Sequence, residues 1–294
     1  MKSAAAIPET PSLLGDVMEL VKARLSLLVL ITTLVGFLLG WQGPLDWLRL
    51  FATLLGTALC AGGAAALNQW WERDVDARMQ RTRNRPLPGH RMRPLDALLF
   101  GLVFSVSGVA ILGLFTNLRA AFLAFATISI YILVYTPMKR WSSLNTLVGA
   151  VPGALPPLIG WVAARGHYDL QGCLLFAVLW FWQMPHFLAI AWMYREDYKQ
   201  GGCVMITAQD PDGERTSRQA LLYALCLVMV TLLPAWLGFH SPLYFFLALV
   251  LGVAFCGFAM NFALRRDRDS ARRLFFSSII YLPLLLGLLV ATAR

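Results

Sequence analysis

"TLLGTALCAGGAAALNQWWERDVDARMQRTRNRPLPG", Thr53 to Gly89, runs from an apolar, glycine- and alanine-rich segment straight into paired charge. An amide and three acids appear within nine residues, and seven arginines lie from Arg73 to Arg93. Asn68, Glu72 and Asp76 recur at i, i+4 and i+8, so a helix continuing out of the apolar run carries all three on one face. Three oxygen-bearing side chains in a column suit a hard cation. Mg²⁺ in particular takes one or two carboxylates together with the phosphates of a substrate. Asp74 lies off that face and is placed to pair with Arg78, while Arg81 and Arg85 repeat the i, i+4 spacing as basic groups suited to phosphate oxygens. The competing account is a juxtamembrane helix laced with exposed ion pairs.

Composition sets the surroundings of this stretch. Of the 294 residues, 58% are hydrophobic and 14% charged, and the mean hydropathy is +0.63. Those values describe a polytopic membrane protein and exclude an ordinary soluble domain. Nine apolar segments approach the roughly 20 residues that a helix needs to cross a bilayer. They are Leu25–Trp41, Leu48–Asn68, Ala97–Phe115, Ala120–Tyr135 and Leu144–Ala164, then Leu174–Met193, Leu221–Phe239, Pro242–Leu264 and Leu274–Ala293. Backbone groups in lipid must be satisfied within the segment, so the expected fold class is all-α. "LLGDVMELVKARL" before the first span reads as an amphipathic surface helix, and "MKSAAAIPETPS" as a short polar tail with no secretory signal. The domain reading is residues 1–20 as tail and start of the surface helix, and 21–294 as one transmembrane domain. Cys60, Cys173, Cys203, Cys226 and Cys256 have no metal-like or disulfide-like spacing and read as small buried hydrophobes.

The loops decide orientation. With nine spans, 21 of the 25 basic residues fall on the side of the N-terminus, leaving Arg49, Arg119, Arg165 and Arg294 for the other. The positive-inside rule puts the rich side in the cytoplasm. The net charge of +9 is therefore membrane topology and gives no case for nucleic acid.

A second acidic cluster leaves the membrane on the same side. "FWQMPHFLAIAWMYREDYKQGG", Phe181 to Gly202, ends in Tyr194, Glu196, Asp197 and Tyr198. Two helices of equal polarity thus present acids at the same depth and are placed to hold a metal–diphosphate between them. Gln183, Pro185 and His186 lie deep in the apolar part, where polar groups are costly and are functional candidates by default. For His186 the readings are an interhelical hydrogen bond or a substrate contact, including an iron ligand. Lys139 and Arg140 follow the fourth span and read equally as topology signals or as diphosphate contacts. Gly149, Gly153 and Gly160, with Pro152, Pro156 and Pro157, suit close packing or a broken helix.

"NQWWERDVDARMQRTRNRPLP" resembles the first aspartate-rich motif of the UbiA-type intramembrane prenyltransferases. Together with "YTPMKR", "FWQMPHFLAIAWMYREDYKQGG" and "ARRLFFSSIIYLPLL", it resembles the haem O synthase branch of that superfamily from about Lys22 to the ninth span. The resemblance implies a nine-helix bundle around a central cavity and a location in the cell inner membrane. It implies farnesyl transfer from farnesyl diphosphate to the 2-vinyl group of haem B, with addition of water, and association with haem A synthase or terminal oxidase assembly. By the same resemblance, Asn68, Glu72 and Asp76 carry the first Mg²⁺–diphosphate motif, and Glu196 and Asp197, flanked by Tyr194 and Tyr198, the second. Asn68, Glu72, Asp76 and Asp197 are then catalytic, Arg81, Arg85, Lys139 and Arg140 contact diphosphate, and His186 handles haem. Departures are modest: Ala23 stands within the usual "KPR", Cys203–Val204 replaces a small residue and proline, and the second motif is thinner in aspartates. Two rivals remain, a UbiA-type enzyme for a quinone precursor or chlorophyllide, and a membrane transporter.

Overall fold

Residues 12–293 are described by a computed structural model. The expected polar tail, with Lys2, and Arg294 lie outside the described residues.

A short helix, α1 (Leu13–Leu20), precedes the first spanning helix, α2 (Ala23–Gly40). Then follow α3 (Trp47–Asp76), α4 (Pro94–Phe115), α5 (Leu118–Met138), α6 (Asn145–Arg165) and α7 (Leu170–Met193). After the short α8 (Arg195–Gln200) come α9 (Glu214–Trp236), α10 (Pro242–Arg265) and α11 (Arg268–Ala291). Among the described residues, nine of these helices are long and apolar enough to cross a membrane, and no strand is formed. Leu99, Leu102, Val103 and Val106 of α4 are exposed, as are Leu243, Leu247 and Val250 of α10. In water such faces would be aggregation sites, whereas hydrocarbon solvates them.

Small residues let the backbones approach where charge cannot help. Gly56, Cys60 and Gly63 of α3 lie against Gly101, Ser105 and Gly108 of α4, and a Cβ on Gly63 would stand 2.5 Å from the Ser105 hydroxyl. Gly36 of α2 meets the carbonyl of Pro157, and Gly160 of α6 meets that of Thr33, so α2 and α6 pack backbone to backbone. The glycine–proline run is therefore a packing device. α6 stays continuous through Pro152, Pro156 and Pro157, and the broken-helix alternative does not occur. α7 packs between α6, α9 and α11, and α10 lies between α9 and α11.

The expected surface helix over Leu13–Leu25 is shorter in the structure: α1 ends at Leu20, with Leu13, Leu14 and Met18 exposed and Asp16 and Leu20 turned to the protein, and Ala23–Leu25 already belong to α2. The chain turns into α2 at Lys22, whose backbone is left-handed (φ +49°). Gln69 of α3 donates to the carbonyls of Glu19 and Leu20, both at 2.9 Å, and so satisfies two acceptors at the end of α1. In α5 the backbone widens into a π-helical turn over Ile130–Tyr135, a feature often found at functional sites.

Candidate active site

α3 runs on past the apolar segment to Asp76, and this extension carries Asn68, Glu72 and Asp76 on one buried face. Each is already wired to a partner. Asn68 donates to Glu72 Oε2 at 2.8 Å and to the Thr136 hydroxyl at 3.2 Å, and its Oδ1 accepts from Lys22 Nζ at 2.9 Å. Lys139 Nζ donates to both Glu72 oxygens at 2.9 Å, and Arg85 donates to Asp76 Oδ2 at 2.7 Å. Removing one partner of such a buried pair costs about 3–5 kcal/mol, because the other charge is left uncompensated. The column is thus built to hold negative and positive groups in register.

Lys139 follows the last residue of α5 and rests its ammonium 4.6 Å from the Tyr135 ring centroid. Burial works against its charge, but neighbouring Tyr135 and the Glu72 carboxylate outweigh burial and hold it protonated well above the ordinary lysine range. Its carbonyl accepts from Val204 N at 2.7 Å, and Asn145 donates to Val204 O, also at 2.7 Å. These two bonds tie the loop after α5 and the first residue of α6 to the loop after α8.

The arginine pattern differs from the spacing reading. The helix stops at Asp76, and residues 77–93 form turns, so Arg78, Arg81 and Arg85 do not share a helical face with the acids. Asp74 lies 3.8 Å from Arg73 instead of pairing with Arg78. Arg85 folds back on Asp76, and Arg81 lies 5.5 and 5.7 Å from the ring centroids of Tyr194 and Tyr198. Arg91 closes the loop onto α1 through Asp16 at 2.7 Å and Glu19 at 3.2 Å. Arg140 is exposed at the same end of the bundle.

The second acidic cluster meets the first through this loop. Asp197 Oδ1 accepts from Gln80 N at 2.7 Å, and its Oδ2 is buried without a partner. Glu196 is not drawn in: it is exposed and pairs with Arg195 at 3.6 Å. Among the described residues, no three His, Cys, Asp or Glu side chains are grouped closely enough to hold a metal by themselves. Beside the loop, a cavity of about 720 Å³ is lined by Arg81, Trp192, Tyr194, Arg195, Arg266 and Arg268, among others.

His186 lies in a different setting, well inside α7 against α11. Its ring stacks between Trp182 and Phe275, with centroids at 5.1 and 4.8 Å, and Nδ1 is 2.7 Å from the Ser278 hydroxyl. Ser278 donates its one proton to the Phe275 carbonyl at 2.6 Å, so its oxygen accepts from His186 Nδ1–H. That bond places a proton on Nδ1, and in the neutral ring it leaves the lone pair on Nε2, the arrangement typical of a ligating histidine. Neighbouring Gln183 is instead consumed by helix packing, donating to the carbonyls of Leu179 at 3.0 Å and Ala150 at 3.3 Å.

Sequence reasoning counts Lys22 only as a topology charge, although its side chain also lies 3.4 Å from the Tyr131 hydroxyl. It misses Ser278 and Thr136 altogether. No local spacing reveals these partners, since each contact joins segments at least 46 residues apart.

The UbiA prenyltransferase family profile matches residues 29–280. The chain belongs to the UbiA prenyltransferase family. It is 43% identical over 284 residues to a protein of Solibacter usitatus named protoheme IX farnesyltransferase, covering 94% of this chain and 97% of that one. A protein of the same name from Anaeromyxobacter sp. is 44% identical over 293 residues, covering 99% and 98%. The fold is shared with a digeranylgeranylglyceryl phosphate synthase structure at a TM-score of 0.80 and 16% identity, covering 95% of this chain and 97% of that one. A UbiA homolog from Archaeoglobus fulgidus, solved with GPP and Mg²⁺, aligns at a TM-score of 0.67 and 14% identity, covering 93% and 99%.

Proposed function

We propose that this protein transfers the farnesyl group of farnesyl diphosphate to the 2-vinyl group of haem B, with addition of water, giving haem O. The observation that carries the donor half is the buried column of Asn68, Glu72 and Asp76, each held by a long cationic side chain. The acceptor half rests on His186 and on the relatives that share the whole chain.

The residues fit a divalent metal brought in with its substrate. Glu72 and Asp76 offer carboxylates four residues apart, and Asp197 Oδ2 is a buried acceptor still without a partner. One or two carboxylates suffice for Mg²⁺ when diphosphate supplies the remaining oxygens. In this reading Asn68, Glu72, Asp76 and Asp197 hold Mg²⁺, with the exposed Glu196 at its margin. When bound, the ion neutralises charge on the departing diphosphate. Lys139 and Arg85 leave their carboxylates for the diphosphate oxygens, joined by Arg81, Arg140 and Lys22. Their charges then stand where negative charge grows as the bond breaks.

The allylic C–O bond breaks with its electron pair going to diphosphate. The terminal vinyl carbon of haem B bonds to the farnesyl carbon, water adds at the adjacent cationic carbon, and one proton is released. The farnesyl chain runs into a central cavity between the helices, and His186 Nε2 meets the haem iron. The charged end faces the cytoplasm from the inner membrane, with association to haem A synthase or oxidase assembly. Family membership displaces the transporter reading, and relatives of one name over the whole chain favour haem over a quinone precursor or chlorophyllide.

The test is conversion of haem B by the purified protein in detergent with farnesyl diphosphate, with and without Mg²⁺, read by mass. A Mg²⁺-dependent product carrying one farnesyl group and one added water is expected. Transfer onto an aromatic acceptor but not onto haem would discard the acceptor assignment.

A further inference from the structure

Two features absorbed only in part by this reaction lie along one seam. His186 and Met193 are seven residues apart on α7, close to two full turns, so they share a face about 10.5 Å apart along the axis. Met193 lines the cavity at the charged end. On α11, which runs the opposite way, Arg268 lines the same cavity, and Phe275 and Ser278, seven and ten residues further on, contact His186. The aromatic histidine site and the arginine-lined cavity are therefore stacked, one above the other, between the same two helices.

The cavity has the chemistry of a carboxylate receptor. Arg268 makes no ion pair among the described residues, and Arg266, whose Nε donates to the Ala263 carbonyl at 3.3 Å, has one ion-pair approach, to Glu214 at 3.8 Å. Of the acids in its wall, Glu196 lies on Arg195 and Asp267 caps α11 through Ser270 N at 2.7 Å, while Asp197 accepts from Gln80 N and keeps Oδ2 for the metal of the donor site. Trp192 and Tyr194 line the same cavity, with Arg195 over the Trp192 ring at 4.4 Å and Arg81 over the Tyr194 ring at 5.5 Å. Arginine is suited to such a task because its planar fork meets a carboxylate with two parallel hydrogen bonds.

We propose that Arg266 and Arg268 bind the two propionate carboxylates of the haem acceptor, with the macrocycle lying down the α7–α11 seam toward His186. The inference rests on haem being the acceptor. It adds the orientation: carboxylates at the charged end and iron two helical turns deeper. A macrocycle so held keeps its only charged substituents in the wet end and buries its apolar edge, which is the less costly arrangement.

The experiment compares haem B with its dimethyl ester, in which both carboxylates are masked. Soret absorbance titrations and KM for both substrates are measured on the wild-type protein and on the Arg266→Gln/Arg268→Gln variant. In the wild type the ester is expected to bind about tenfold or more weakly than haem, the scale of a lost charged hydrogen bond. In the variant haem should fall to the level of the ester, with ester affinity and the KM for farnesyl diphosphate unchanged. Because the ester acts on unaltered protein, a folding defect in the variant cannot imitate this pattern. Equal binding of haem and ester by the wild type would overturn the proposal. So would a raised KM for farnesyl diphosphate alone, which would give the cavity to the donor. Loss of co-purified anionic lipid from the variant, with the haem-to-ester ratio retained, would assign the cavity to a lipid headgroup and likewise overturn it. A wild-type protein that transfers farnesyl to another acceptor and ignores both haem and ester would instead remove the haem reading beneath it.

Discussion

The charged end of α3 and the apolar interior of α7 solve opposite problems. At the first, every buried polar group of the column has a long cation laid against it: Lys139 on Glu72, Arg85 on Asp76, Lys22 on Asn68. At the second, His186 is packed against Trp182 and Phe275 and oriented by one hydroxyl. A highly charged diphosphate needs counter-charges that can change partners, whereas a flat apolar macrocycle needs shape and one fixed donor atom. The two regions should therefore fail in different ways.

The largest expected effect is at the column. Glu72→Gln or Asp76→Asn should lower kcat/KM for transfer by about 100- to 1000-fold, the usual scale for losing a group that stabilises developing charge. Steady-state assays with haem saturating check this, and a loss under tenfold would detach that carboxylate from the chemistry. Lys139→Met follows: it strands the buried Glu72, so thermal unfolding in detergent should shift downward, and the KM for farnesyl diphosphate should rise about tenfold or more. At the other region, His186→Ala should weaken haem binding about 10- to 100-fold and Ser278→Ala by less, with the KM for farnesyl diphosphate constant in both. If Ser278→Ala left haem affinity intact, its orienting role would fall.

The pH dependence sharpens the contrast further. Lys139 is held protonated above its ordinary range, so the stability it contributes is complete below the unfolded lysine pKa of about 10.4 and is lost as pH rises through the still higher folded value. Thermal unfolding should show no loss traceable to it between neutral pH and about 10 in a wild-type versus Lys139→Met comparison. The smallest effect belongs to a structural anchor away from both sites. Asp210 accepts from Arg215 N at 3.2 Å and Thr216 N at 2.6 Å at the start of α9. Burial raises its pKa, but the bonds from Thr216 and Arg215 outweigh that and leave it below the carboxylate norm. Its contribution is present above about pH 3.9 and fades as pH falls through the lowered folded value. Asp210→Ala should cost about 1 kcal/mol, as a lost helix cap does, with unchanged KM values.

Hydropathy makes the nine spans legible because each is a local property of about 20 residues. The ends of α3, α9 and α11 extend beyond the expected spans because their outer turns are charged: α3 reaches Asp76, α9 begins at Glu214 and α11 at Arg268. The i, i+4 column of Asn68, Glu72 and Asp76 is equally legible, since helical spacing fixes it. The expected Asp74–Arg78 pair fails for the same reason in reverse, because the helix stops two residues before Arg78. Lys139 on Glu72 and Ser278 on His186 join residues 67 and 92 positions apart, which no local pattern encodes.

The most direct measurement is a haem titration of the Asp76→Asn protein, followed in the Soret band, beside its farnesyl transfer rate. Separate donor and acceptor regions predict transfer reduced at least about 100-fold with haem affinity within about twofold of wild type. Haem affinity falling in step with the rate would contradict the division of labour between α3 and the α7–α11 seam.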